Sequence, residues 1–107
     1  MKVAIIGAGG LGQSIAKGLL KNKVVSSLYL TKRNTKSIIE FNDFSEVILT
    51  SDNQEAIKNS DVLLFAVQPR HLESLLKKIQ PSLGAHHVLI SVITGFSIAK
   101  IEAIVGQ

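Results

Sequence analysis

The chain's 107 residues, 46% of them hydrophobic, are enough for one domain with a single core. Cysteine is absent, which excludes disulfides and thiolate metal sites, and the longest apolar runs, such as residues 62–67, are far too short to span a bilayer. The net charge of +4 is modest, but residues 1–39 carry +7 with no acid at all, which leaves −3 for the remainder.

This basic third has two candidate partners: nucleic acid, or a small polyanion such as a phosphorylated cofactor. Aromatic residues make up only 5% and do not alternate with the basic ones, which argues against a stacking platform for bases. Lys17, Lys21 and Lys23 read as the solvated face and end of a helix, whereas Lys32 and Arg33 stay open to a functional reading. The amino terminus has one lysine followed by glycines and does not resemble a secretory signal. A cytoplasmic protein with no membrane contact is the expectation.

In chain order, Met1 to Ile6 reads as a short buried strand and Gly10 to about Asn22 as a helix carrying Leu11, Ile15, Ala16, Leu19 and Leu20. Between them, Gly7-Ala8-Gly9-Gly10-Leu11-Gly12 has the spacing G-x-G-x-x-G, where a strand must turn sharply into a helix. At that position Gly7 permits the turn, Gly9 lets backbone approach a pyrophosphate, and Gly12 lets helix and strand pack closely. Phosphates would rest on unpaired N–H groups at the positive end of the helix. No Gly-Lys-Ser/Thr follows, which excludes a Walker-type loop.

Ser27 to Thr31 reads as a second strand, residues 37–42 as a weak helix, and Val47 to Leu49 as a third strand at the sheet edge. Asp52 or Ser51 can cap a short helix through Lys58, with Glu55 completing a capping box on Asp52. Residues 62–67 have no polar alternation, as expected of a strand covered on both faces. Pro69 then opens a helix with Leu72, Leu75, Leu76, Ile79 and Leu83 on one face, closed by Pro81 and Gly84. Val88 to Ile93 is a fifth strand, and Thr94-Gly95-Phe96 turns into a last helix with Ile98, Ile101 and Ile104.

Strict alternation predicts an α/β fold: a Rossmann-type, doubly wound parallel sheet in three α/β/α layers, with right-handed crossovers and order 3-2-1-4-5. Residues 1–107 form one domain in this reading. Its ligand would bind at the carboxyl ends of the strands, beside the switch between strands 1 and 4.

An acid at the end of strand 2 would select NAD, but here Thr31-Lys32-Arg33-Asn34 stands there, with no acid before Glu40. Arg binds a 2′-phosphate bidentately and Lys binds it as a point charge, which favours NADP over the alternative of an ordinary basic loop. Residues 67–71 should face the middle of the cofactor and Ser91 to Gly95 the nicotinamide, while Asn53 is either an adenosine contact or a helix-start residue. His71, His86 and His87 lack metal-ligand spacing and read as surface histidines, so no metal site is expected. No acid, base or nucleophile constellation is identifiable, and the catalytic residues stay unassigned.

Residues 5–12, then Ser60 to Pro69, then Leu89 to Gly95 together resemble the amino-terminal domain of pyrroline-5-carboxylate reductase, in order and spacing, across essentially the whole chain. That family reduces a cyclic imine to proline with hydride from NADPH. The resemblance implies that Ile6 to Leu11 form the diphosphate loop and that Thr31, Lys32 and Arg33 lie at the 2′-phosphate. It makes Asn53 a cofactor contact, and it makes Ala66, Val67, Gln68 and Pro69, with Val92, Ile93 and Thr94, two further cofactor-lining loops. The family usually has Lys where this chain has Gln68 and two alanines where it has Ile93-Thr94, both near the reacting end of the cofactor. A helical domain that dimerises and completes the substrate pocket follows in the family, whereas this sequence ends at Gln107. The resemblance thus implies a homo-oligomer acting on a small cyclic imine acid. The alternatives are a binding module that senses NADP without catalysis, or another imine or carbonyl reductase with the same first domain.

Overall fold

The computed structural model describes residues 1–66 and 69–91. Its strands are β1 (Lys2–Ile6), β2 (Ser27–Thr31), β3 (Val47–Thr50), β4 (Val62–Phe65) and β5 (Val88–Ser91). All pairings are parallel, in the order β3-β2-β1-β4-β5. The helices are α1 (Gly10–Lys21), α2 (Asn53–Lys58) and α3 (Pro69–Ile79), with 3₁₀ segments at Thr35–Asp43 and Gln80–Ser82. The expected architecture and strand order are therefore observed. The last helix and residues 92–94 lie outside the described residues.

Side chains alternate along each strand, and the two faces of the sheet carry separate cores. Val3 and Ile5 of β1, Leu28 and Leu30 of β2 and Leu64 of β4 pack with Ala16 and Leu20 of α1 and with Ile38 and Phe41. On the other face Ala4, Ile6, Tyr29, Leu63 and Phe65 pack with Ala56 and Ile57 of α2 and Leu76 and Ile79 of α3. Strands β1 and β4 are covered on both faces, which is why they read as unbroken apolar runs. Burying each such Ile, Leu or Phe contributes about 1.5–3 kcal/mol.

Several local features depart from the sequence reading. In α1 the buried row is Gly12, Ala16 and Leu20, one residue every four, and Leu11 stands 56% exposed beside it. The weak helix is a 3₁₀ segment with a kink at Ile38. Its buried residues, Ile38 and Phe41, are three apart, the spacing that a three-residue turn places on one side. Asp52 caps α2 by accepting from the Gln54 and Glu55 N–H groups, but the reciprocal half of the capping box is not made. Thr50 Oγ1 takes the Asp52 N–H at 3.0 Å and donates to Glu55 Oε1 at 3.2 Å, so one hydroxyl stands between the two partners.

His87 corrects the expectation of surface histidines. It is 9% exposed, and its ring ties the β5 entrance to α2. Gly84 N–H can only donate, so Nδ1 accepts from it at 2.8 Å, and Nε2 carries the proton and donates to the Ile57 carbonyl at 2.9 Å. His86 does lie at the surface, 3.9 Å from Asp61. Replacing His87 by Phe keeps the ring and deletes both bonds, so it should destabilise the fold by about 1–3 kcal/mol in chemical denaturation. An unchanged midpoint would mean that the bonds contribute nothing net.

The end of α1 holds a second local test. Lys23 N–H donates to the Leu20 carbonyl and Val24 N–H to the Leu19 carbonyl, a Schellman closure that places Lys23 at φ 54°. A left-handed residue with a Cβ costs roughly 1–2 kcal/mol, partly offset in a glycine variant by greater unfolded-chain entropy. Lys23→Gly should therefore raise stability by about 0.5–1 kcal/mol. A lower melting temperature for this variant would contradict that balance.

Candidate functional site

The strand register brings Ile6, Thr31, Thr50, Phe65 and Ser91 level at the carboxyl edge of the sheet. The loops that leave this edge carry the candidate residues. From Ile6 the chain turns at Gly7, whose φ of 84° is a backbone conformation that side chains with a Cβ resist. Gly9 N–H donates back to the Gly7 carbonyl at 2.8 Å, and Gly9, extended, is the N-cap of α1 with no side chain to cap it. The first bond into the helix is Gln13 N–H to the Gly9 carbonyl. The first-turn N–H groups of α1 are thus left for an acceptor from outside the helix.

The glycines at and after the N-cap of α1 differ in their surroundings. A Cβ on Gly12 would lie 3.1 Å from Ile5 Cγ2, 3.2 Å from the Gly7 carbonyl oxygen and 3.4 Å from Ala66 Cβ, so α1 sits directly on β1. Among the described residues, and apart from its own chain neighbours, a Cβ on Gly9 or on Gly10 would meet nothing within 4 Å. Close packing explains Gly12, whereas at Gly9 and Gly10 the space lies open to whatever enters the loop. Ala8 is fully buried beneath it.

Two polar side chains hold this loop. Thr31, 1% exposed, accepts the Gly7 N–H on Oγ1 at 3.0 Å and the Ala8 N–H on its carbonyl at 2.7 Å. Gln13 Nε2 donates to the Ala8 carbonyl at 2.9 Å. Gln13 was not among the residues singled out from the sequence. Its only sequence signal is an amide one residue after the motif, which a solvated helix position explains equally well.

Lys32 is half-buried, and Arg33 and Lys36 are exposed. None of the three makes an ion pair among the described residues, whose salt bridges are Lys77–Glu73 and the long His86–Asp61 contact. The backbone beyond them is pinned: Asn34 Oδ1 accepts the Lys36 N–H at 3.1 Å, and Ser37 Oγ donates to the Asn34 carbonyl at 2.8 Å. This part of the edge is therefore a fixed, positively charged shoulder beside the glycine loop.

Asn53 is the first residue of α2 and half-buried, with Asp52 rather than Asn53 acting as the cap. Ala66 follows β4 directly, and its N–H donates to the Ile6 carbonyl at 2.9 Å, beside the loop. Pro69 opens α3 as expected. Val67, Gln68, Val92, Ile93 and Thr94 lie outside the described residues. Among the described residues no group of three or more His, Asp or Glu could hold a metal ion, and no helix is long and apolar enough to cross a membrane.

Similarity to known proteins follows the same lines. Pyrroline-5-carboxylate reductase 1 of Dictyostelium discoideum is 37% identical over 103 residues, covering 94% of this chain but 18% of that protein. The solved pyrroline carboxylate reductase of Plasmodium falciparum, with NADP bound, matches with TM-score 0.84 and 27% identity, over all of this chain and 38% of that one. The pyrroline-5-carboxylate reductase of Coxiella burnetii matches with TM-score 0.90 and 25% identity, over 99% of this chain and 40% of that one. The chain thus spans well under half the length of these relatives. A family model described as NADP oxidoreductase coenzyme F420-dependent matches residues 2–95, and the chain belongs to that family.

Proposed function

We propose that this chain is the NADP-binding domain of a reductase of the pyrroline-5-carboxylate reductase type. The observation that carries the reading is the pair of open positions at Gly9 and Gly10, in front of the uncapped start of α1. A dinucleotide's pyrophosphate matches that space and those donors, and Lys32 and Arg33, which make no ion pair among the described residues, match a 2′-phosphate beside it. When bound, the cofactor would supply a hydride to the carbon of a cyclic imine protonated on nitrogen, giving proline.

On this reading residues 6–12 hold the pyrophosphate, and Lys32 and Arg33 meet the 2′-phosphate. Asn53 reaches the adenosine side, and Ala66 to Pro69 with Val92 to Thr94 line the middle and the nicotinamide end. The substrate pocket would be completed by further chain, such as the longer relatives possess. A cytoplasmic, self-associating enzyme of proline synthesis fits this picture.

Two measurements test it. Calorimetric titration should show one molecule of NADPH bound per chain, and no binding would remove the cofactor reading. The gene's full product, supplied to cells lacking pyrroline-5-carboxylate reduction, should restore growth without proline. Continued dependence on proline, with NADPH binding intact, would replace the reductase reading by that of a sensing module or a reductase of another imine.

A further inference from the structure

We propose that Thr31 is a positioning residue: its buried hydroxyl holds the glycine loop in the shape that receives the pyrophosphate, and it does not itself meet the 2′-phosphate. This rests on the cofactor reading above and adds to it the element that sets the site's geometry. The sharp turn at Gly7 brings two successive N–H groups of the loop against one residue of β2. Ala8 N–H donates to the Thr31 carbonyl at 2.7 Å. Gly7 N–H is then left over, and Thr31 Oγ1 takes it at 3.0 Å.

Thr31 is 1% exposed, so water is poorly placed to replace a lost acceptor. Without the hydroxyl, the loop would have to shift to recover a partner for Gly7 N–H. That shift propagates, because the Gly7 carbonyl holds Gly9 N–H and the Gly9 carbonyl starts α1. The donors at the helix start thus take their position from β2. The next two residues are Lys32 and Arg33, so a single side chain aligns the pyrophosphate end of the site with its basic shoulder. The burial and occupied lone pair of Oγ1 set Thr31 apart from those two. They point it inward at the loop rather than outward at a ligand.

The test compares Thr31→Val, which keeps the shape and removes the acceptor, with Thr31→Ser, which keeps the acceptor. NADPH and NADH are titrated separately, and amide exchange at Gly7 and Ala8 is followed without ligand. Thr31→Val should weaken both cofactors by the same factor, about 5- to 30-fold, with their ratio unchanged. It should also speed exchange at Gly7, while Thr31→Ser restores both properties. Thr31→Ala removes the same hydroxyl with less bulk and serves should the Val variant fail to fold. A loss confined to NADPH would overturn the proposal by making Thr31 a 2′-phosphate ligand, and so would unchanged Gly7 exchange. If the unaltered protein binds neither cofactor, the cofactor reading falls while the exchange measurement still decides whether Thr31 holds the loop.

Discussion

Gly9→Ala should strip the protein of NADPH and NADH alike and leave its stability nearly intact, whereas Gly12→Ala should damage the fold first. Both add one methyl group to the same loop, and their surroundings separate the outcomes. At Gly9 the added carbon meets no atom of the described residues beyond its chain neighbours within 4 Å, and the residue already has an extended backbone that alanine adopts. Alanine is a poorer N-cap than glycine, but it also lowers the entropy of the unfolded chain, and the two effects nearly cancel. The methyl instead occupies the space through which a pyrophosphate would approach. Overfilling a close contact costs about 1–3 kcal/mol, or roughly 5- to 150-fold in affinity. At Gly12 the same methyl is pressed against Ile5 Cγ2 and the Gly7 carbonyl, at 3.1 and 3.2 Å. A loop carbonyl and the branched methyl of a buried isoleucine cannot yield as a flexible side-chain tip can, so the cost of about 1–3 kcal/mol falls on folding. Thermal melts and cofactor titrations of the two variants check this. A Gly9→Ala protein that binds both cofactors like the parent would show that nothing approaches the backbone there.

The sheet was legible in the sequence for a physical reason. Central parallel strands are covered on both faces, so residues 3–6 and 62–65 must be apolar throughout, and the alternation of strand and helix then allows few topologies. The turn at Gly7 and the close packing at Gly12 were legible too, since each answers a local backbone requirement. What escaped was the set of polar side chains whose partners are remote in sequence. Thr31 is 24 residues from Gly7, and His87 is 30 from Ile57. Nothing local marks such a threonine as a partner of the loop, or such a histidine as a buried one. Thr50 displaced the expected capping box for the same kind of reason, because the hydroxyl at the end of β3 reaches both partners first. Helical periodicity misplaced Leu11 as well, since the buried row runs through Gly12, a residue that hydropathy does not mark as core.

Arg33→Ala should weaken NADPH binding by about 10-fold or more at low salt while leaving NADH nearly untouched. The two cofactors differ only in the 2′-phosphate, which carries close to two negative charges. Arg33 is exposed and unpaired among the described residues, and no acid lies in the first 39 residues of the chain to compete for it. Among the described residues the side chain therefore has no ion pair to give up on binding. Its backbone is held by the Asn34 cap and the Ser37 hydroxyl, so little loop ordering opposes the contact. A hydrogen bond to a charged group contributes about 1.5–3 kcal/mol, which corresponds to roughly 10- to 150-fold. Exposure moves the expectation toward the lower end, because solvent and salt screen the charge. Raising the salt concentration should shrink the preference of the unaltered protein for NADPH and leave NADH affinity almost constant. Arg33→Lys should retain part of the preference, since a point charge keeps the attraction but loses the bidentate geometry. The Thr31→Val variant supplies the contrast, losing both cofactors equally where Arg33→Ala loses one. Equal affinity of the unaltered protein for NADH and NADPH would reduce Lys32 and Arg33 to a solvated basic loop and make the domain indifferent to the 2′-phosphate.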